Sequence, residues 1–257
     1  MKSPVRYPGG KTRAVKMILP HLPQGEQQLC SPFFGGGSIE IAYAQQNKNT
    51  EVYGYDSFEP IAFFWEQIIQ EPEALANEIE KVKATFNKEQ FLEFREELSA
   101  CCENTIEDAA KVFAINRSSF SGATFSGGFS KQAEQKRFNK SSIERVRNFK
   151  VPNLKVKQGD FKDTIPKHEN AFLYLDPPYF LKKGSNNLYG ANGSTHKGFD
   201  HQGLFNLLKE RENWVLSYND CEWVRETYKN FEIIDLSWSY GMNKNKKSSE
   251  IIIMPSI

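Results

Sequence analysis

Seven short apolar runs punctuate the chain, centred near Leu29, Val52, Val156, Leu173, Val215, Ile233 and Ile252. Runs this short, bounded by turn residues, predict β-strands. Between several of them apolar positions recur at helical spacing: Arg13 to Leu19, Ile39 to Gln46, His201 to Leu208 and Cys221 to Tyr228. Strands that alternate with helices predict an α/β fold with a mostly parallel, doubly wound sheet. No helical pattern separates the last two runs, the second of which is Glu250-Ile251-Ile252-Ile253-Met254. They are expected to pair as an antiparallel hairpin at one edge of the sheet.

From about Phe58 to Lys150 the period changes. Strand signals vanish, and helical patterns follow one another at Glu73 to Phe86, Lys88 to Ser99, Glu107 to Asn116 and Ser141 to Phe149. This predicts one sheet domain built from residues 1–57 and 151–257, interrupted by a helical insertion over 58–150. Within the insertion, residues 118–130 form a polar, glycine-rich stretch with three phenylalanines. A loop of that kind is well placed to touch a ligand.

The 257 residues carry a formal charge of only +1, so the whole-chain balance says nothing about partners. Distribution says more. Acidic residues dominate from Glu71 to Glu97. From Lys131 to Lys150 the sign reverses: Lys131, Lys136, Arg137, Lys140, Arg145, Arg147 and Lys150 face only Glu134 and Glu144. Such a segment is either a phosphate-binding patch or a solvated helix face. Cys30, Cys101, Cys102 and Cys221 form no Cys-x-x-Cys pair and have no zinc spacing with the four histidines. A reduced, cytoplasmic chain without a metal is expected. No segment reads as a signal peptide or a membrane span.

The most specific string is Asp176-Pro177-Pro178-Tyr179, directly after the apolar run Ala171-Phe172-Leu173-Tyr174-Leu175. A carboxylate, two rigid prolines and an aromatic ring are thus delivered at a strand's C-terminal end, where open α/β sheets bind ligands. These groups suit methylation of an exocyclic amino group on a planar base. That nitrogen is a poor nucleophile because its lone pair is delocalised into the ring. Asp176 can accept one N–H, and the Pro177 carbonyl, held by Pro178 and its own fixed φ, can accept the other. Tyr179 can stack on the base. A base inside a duplex must first be flipped out, at a cost of roughly a few kcal/mol.

Three further clusters follow earlier strands. The first is Pro32-Phe33-Phe34-Gly35-Gly36-Gly37-Ser38, where glycines allow close backbone approach. The second is Asp56, placed to accept hydrogen bonds from both ribose hydroxyls. The third is Gly159-Asp160-Phe161, which offers an acceptor for an adenine amino group and a ring to pack on it. Gly10-Lys11-Thr12 mimics the end of a P-loop, but Val5 stands where that motif needs its first glycine, which argues against a nucleotide triphosphatase.

With these residues in place, the chain resembles the DNA adenine-N6 methyltransferases of the Dam group, in the arrangement with cofactor motifs first. Arg6-Tyr7-Pro8-Gly9-Gly10-Lys11 is similar to the N-terminal cofactor motif of that group, and DPPY to its catalytic motif. Asn116-Arg117-Ser118-Ser119-Phe120-Ser121-Gly122 is similar to a segment at its DNA face. Ser217-Tyr218-Asn219-Asp220 and Tyr240-Gly241-Met242-Asn243 occupy positions where phage-like members carry similar strings. The resemblance implies a Rossmann-like seven-stranded sheet with an antiparallel edge strand, a helical target-recognition insertion and S-adenosyl-L-methionine as cofactor. It also implies double-stranded DNA as partner and work in the cytoplasm of a bacterium or phage-infected cell.

For the cofactor it implies Tyr7, Gly10, Lys11, Phe33, Phe34, Gly35, Gly37, Ser38, Asp56, Asp160, Phe161 and Asp176. Lys11 is expected near the cofactor's carboxylate. For DNA it implies Phe120 as the aromatic that enters the duplex, with Arg117, Ser121, Phe125, Lys131, Lys136 and Arg137 around it. Two departures stand out. Ser31 occupies a position where the group usually has an acid toward the methionine end of the cofactor, so weaker cofactor binding is expected. Phe125 falls where members that read GATC carry a base-contacting arginine, so a different target is expected. Cytosine-N4 methylation is the nearest rival, but those enzymes more often have Ser than Asp before the two prolines. Methylation of protein or RNA is another, and the insertion with its basic loop argues for duplex DNA. A DNA-binding protein that has lost activity is favoured only by Ser31. His196 and His201, around Asp200, are read as shaping a target site, or Asp200 as a helix cap. Lys244, Lys246 and Lys247 are read as phosphate contacts or as a solvated turn.

Overall fold

The structure is a computed structural model and describes residues 1–180, 198–236 and 250–256. Among these, β1 (Gln28–Ser31), β2 (Glu51–Asp56), β3 (Leu154–Gln158), β4 (Phe172–Leu175), β5 (Trp214–Asn219), β6 (Glu232–Leu236) and β7 (Glu250–Met254) form one sheet in the order β3-β2-β1-β4-β5-β7-β6. The five strands β1 to β5 pair in parallel, and β7 is antiparallel to both its neighbours. The expected α/β sheet is present. The antiparallel strand lies one place in from the edge, with β6 outermost.

The strands alternate sides with a period of two, as a sheet buried on both faces requires. Leu29, Val52, Tyr174, Val215 and Ile252 join one apolar core, whereas Cys30, Leu173, Leu175, Trp214, Leu216, Ile251 and Ile253 join the other. Helices α1 (Val15–Ile18), α2 (Ser38–Gln46) and α3 (Glu59–Gln70) contribute to the first core. Four more helices extend it: α4 (Pro72–Thr85), α5 (Lys88–Ala100), α6 (Ile106–Ser118) and α8 (Lys140–Arg147), while α7 (Lys131–Arg137) packs on α6. Helices α9 (Phe161–Lys167), α10 (His201–Leu208) and α11 (Glu222–Thr227) cover the second face.

Three helices escape the sequence pattern, each for a physical reason. α3 contacts β2 and β3 on one side and α6 on the other, burying Ile61, Ala62, Phe64, Trp65 and Ile68. Its apolar run from Pro60 to Trp65 masks the polar stripe that Glu59, Glu66, Gln67 and Gln70 form. α7 is short and polar and buries only Ala133, relying on the Ser130 side chain as its N-cap. α9 carries Pro166 near its end, a residue that reads as a helix breaker.

α6 is the centre of the insertion. It touches α3, α4, α5 and α7, and every residue from Val112 to Ser118 is buried. β1 and β4 are neighbours, yet the chain leaves β1 toward β2 and β3 before returning on the other side. This reversal opens a crevice beyond the C-terminal ends of β1 and β4. The glycine-rich turn and Asp176 both lie there.

Candidate active site

β1 ends at Ser31 and the chain turns through Pro32 to Gly37 into α2. Gly35 and Gly37 adopt left-handed backbone, with φ of 47° and 61°. Side chains there would also clash: a Cβ on Gly35 would sit 2.9 Å from the Tyr7 ring, and one on Gly37 2.6 Å from the Phe34 ring. Phe34 is buried, edge-on to Trp65 at 5.0 Å, so its ring anchors the turn to the core. Asp56, at the end of β2, accepts the Gly35 N–H at 2.8 Å and the Phe58 N–H at 2.9 Å. Burial outweighs those two bonds and pushes its carboxyl up to about 6.

This turn, the N-terminal segment and Asp176 to Pro178 line an open pocket. Its walls include Tyr7, Gly10, Lys11, Phe33, Gly35, Ser38, Glu40, Asp56, Tyr174 and Asp176. A second hollow shares Pro32, Phe33, Ser57 and Pro178 with the first, and adds Asp160, Phe161 and Phe199. The two form one cleft across the ends of β3, β2, β1 and β4. In the second hollow the rings of Phe33, Phe161 and Phe199 lie 5.2–5.6 Å apart. Asp160 caps α9 by accepting the Lys162 N–H at 2.9 Å.

Lys11 departs from expectation. Its Nζ donates to Asp176 Oδ1 at 2.6 Å and to Tyr179 Oη at 3.0 Å, and lies 3.6 Å from Glu250. It therefore grips the DPPY carboxylate, rather than standing free for a cofactor carboxylate. Tyr179 also donates to Glu250 Oε1, so its ring is fixed by its hydroxyl. Burial raises the Asp176 carboxyl above its ordinary value, and Lys11 opposes that rise. Asn219, at the end of β5, accepts the Phe180 N–H at 2.9 Å and donates to its carbonyl at 3.0 Å. That pair holds the strand of chain after DPPY.

The insertion meets this site through Asn116. Its side chain accepts the Arg6 N–H at 2.9 Å and donates to the Arg6 carbonyl and to Thr124 Oγ1. The loop beyond it turns sharply: Ser121 and Thr124 have φ of 56° and 48°. Positive φ at such residues costs roughly 1–3 kcal/mol each and marks a turn fixed by its surroundings. At its apex Phe120 is 69 % exposed. Phe125, expected at a DNA-facing position, is instead buried against Phe58 with ring centres 5.0 Å apart. Arg117 is likewise buried, over the Phe113 ring, because α6 is enclosed by other helices. Burial together with Arg145, Arg6 and Arg137 lowers its guanidinium to about 10. Lys131 and Lys136 are exposed on α7.

Sequence reasoning missed Glu40, Tyr174, Phe199, Asn219 and Glu250. Glu40 had a readable signal, since it is a single acid inside an apolar run, whereas Glu250 only heads one. Asp200 is a helix cap, accepting the Gly203 N–H at 2.7 Å, and His201 bonds the Tyr218 hydroxyl. His196, Tyr240 to Asn243, Lys244, Lys246 and Lys247 lie outside the described residues. Among the described residues no His, Cys, Asp and Glu group could hold a metal ion, and no helix is long and apolar enough to cross a membrane.

Comparison with known proteins bears on this cleft. The chain is 25 % identical over 267 aligned residues to Modification methylase StsI of Streptococcus sanguinis, covering 95 % of this chain and 39 % of that protein. It thus spans about two-fifths of the relative's length. Precorrin 8W decarboxylase from Methanobacterium thermoautotrophicum aligns over 98 % of this chain and 94 % of its own, with 10 % identity and a TM-score of 0.37. Residues 7–242, from the first pocket residue to beyond β6, match the family described as D12 class N6 adenine-specific DNA methyltransferase. The chain belongs to the D12 class of N6 adenine-specific DNA methyltransferases.

Proposed function

We propose that the protein transfers a methyl group from S-adenosyl-L-methionine to the N6 amino group of an adenine flipped out of double-stranded DNA. One observation carries this reading: the Asp176 carboxylate, gripped by Lys11 and followed by two prolines, forms a wall of the glycine-lined pocket. The residues present fit the cofactor. Gly35 lets the turn pack against Tyr7 at the pocket wall, and the buried Tyr174 hydroxyl, from a residue lining that pocket, has no partner among the described residues. The pocket wall carries Glu40, Asp56 and Asp176 against Lys11, which suits a ligand bearing positive charge. Tyr7, Gly10, Phe33, Phe34, Gly37 and Ser38 border the pocket, Asp56 takes the ribose, and Phe161 with Phe33 and Phe199 takes the adenine. Asp160 lies beside that end.

When bound, the cofactor supplies a methyl group activated by its adjacent sulfonium. The chain's part is to present the nitrogen. Asp176 accepts one N6–H and the Pro177 carbonyl the other, which draws the lone pair out of conjugation. Lys11 keeps Asp176 ionised and in place, so the acceptor is preorganised. Pro178 fixes the backbone, and Tyr179, anchored at its hydroxyl, offers its ring to the base. No covalent enzyme intermediate is required, and positioning supplies the acceleration.

Residues 58–150 serve as the target-recognition unit in this reading. Phe120 and Ser121, at the apex of the strained turn, enter the duplex beside the flipped base. Lys131, Lys136 and Arg137 meet phosphates, which position without specifying sequence. The cluster of Arg6, Arg117, Arg137 and Arg145 backs that surface. Buried Phe125 has no hydrogen bond to offer a guanine, which supports a target other than GATC. The protein acts in the cytoplasm of a bacterium or phage-infected cell. Asp176→Ala is expected to abolish labelled methyl transfer to duplex DNA while cofactor binding persists. Near-normal transfer by that variant contradicts the mechanism.

A further inference from the structure

Glu40 is a carboxylate that the reading above leaves without a task. It sits in α2, is 3 % exposed, and lines the first pocket. Ser31 Oγ, at the end of β1, donates to its Oε1 at 2.6 Å. A buried carboxylate is costly unless a cation or several donors balance it. The cation lining this pocket is Lys11, and its Nζ is committed to Asp176 at 2.6 Å, with Glu250 at 3.6 Å. Tyr174, from β4, lies within electrostatic range of Glu40 and turns a buried, unpartnered hydroxyl to the same pocket wall.

Sheet order says which part of a bound nucleoside cofactor reaches Glu40. The adenine end lies beyond β3 at Phe161, and the ribose beyond β2 at Asp56. The next positions along the sheet are β1 and then β4, which carry Ser31, Tyr174 and Asp176. The amino-acid end of the ligand is therefore delivered to Ser31, Glu40 and Tyr174, one step from the reacting carboxylate.

We propose that Glu40, steadied by Ser31, receives the α-ammonium group of the cofactor's methionine end. The assignment rests on the cofactor reading above. It replaces the expectation that Ser31 leaves this subsite without charge: the charge comes from α2, and the serine hydroxyl orients it. Burial pushes the Glu40 carboxyl up to about 7, with Ser31, its own backbone N–H and Lys11 pulling it down and Asp176 pushing it up. Below that pH the empty site holds a proton that the ammonium must displace. Affinity for an amino-bearing ligand therefore falls as pH drops through 7, by at most about tenfold per unit.

Calorimetry on the full chain tests this with two probes, S-adenosylhomocysteine and its analogue lacking the α-amino group. The unaltered chain should prefer the amino-bearing probe by about 30-fold or more, the loss typical of truncating one partner of a buried charge pair. Glu40→Gln should weaken S-adenosylhomocysteine to the level of the analogue and abolish the preference. Ser31→Ala, which keeps the carboxylate, should retain a preference. In the unaltered chain, lowering pH from 8 to about 6 should weaken S-adenosylhomocysteine more steeply than the analogue, because Asp56, raised to about 6, titrates beneath the ribose of both probes and Glu40 beneath the ammonium of one; this arm needs no variant to fold. A preference kept intact in Glu40→Gln, or equal pH profiles for the two probes, overturns the Glu40 assignment alone. Binding of neither probe by the unaltered chain overturns the cofactor reading, and the assignment with it.

Discussion

The cleft and the recognition loop handle charge in opposite ways. In the cleft, unlike charges are interlocked: Lys11 holds Asp176 and lies near Glu250, and Tyr179 closes the ring. Where the N-terminal segment meets the insertion, Arg6 crowds with Arg117, Arg137 and Arg145, and buried nitrogens of Arg6 and Arg117 lack partners among the described residues. The first arrangement fixes Asp176 before any DNA arrives and suits groups that must stand still while a methyl group moves. The second is unbalanced and gains most from a polyanion. In the proposed function, chemistry and reading thus fall to surfaces with different electrostatic states, joined by Asn116 to the Arg6 backbone.

Variants can break this contrast. The largest expected effect is structural. Phe125→Ala should cost about 3–5 kcal/mol by chemical denaturation, because it empties a buried ring site. Phe120→Ala should change stability by no more than about 0.5 kcal/mol, since its ring is exposed. Similar losses for the two would dissolve the distinction between core and probe within one loop.

Next in size is Lys11→Met. It leaves Asp176 and Glu250 facing each other without their cation, a change of about 3–5 kcal/mol for a buried pair. Turnover in single-turnover assays should fall by about a hundredfold. The pH sign follows from the ion pair. Lys11 lowers the Asp176 carboxyl, so its removal raises it further, and the acid limb of the rate profile moves to higher pH. An unmoved acid limb would show that Lys11 does not act through Asp176.

Much of the sheet was legible because a strand buried on both faces reads as a short apolar run whatever its neighbours. DPPY and the glycine turn were legible for a similar reason, since glycine and proline report local backbone demands. The grip of Lys11 on Asp176 and the bond from Tyr179 to Glu250 were not legible. They are contacts across 165 residues for Lys11 and Asp176 and 71 for Tyr179 and Glu250, which no local pattern carries. Phe125 and Phe120 look alike in sequence, and only the fold of the loop assigns one to the core. α3 was hidden by its unbroken apolar run from Pro60 to Trp65, which masks its period.

A smaller effect should separate base extrusion from chemistry. Phe120→Ala should slow transfer on a matched duplex by about tenfold and much less on a duplex with a mismatch at the target, where extrusion costs least. Equal slowing on both substrates would place Phe120 in binding alone. The smallest effect concerns phosphate contacts. Lys136→Gln should weaken DNA binding uniformly across sequences and reduce the slope of log affinity against log salt by about 1. An unchanged slope would remove Lys136 from the interface.

The central claim is that this cleft methylates adenine at N6. The most direct measurement is mass spectrometry of nucleosides from mixed-sequence duplex DNA incubated with the full chain and methyl-labelled S-adenosylmethionine. The account predicts label in N6-methyladenine. Label in N4-methylcytosine, or none in DNA from a chain that binds the cofactor, would contradict it.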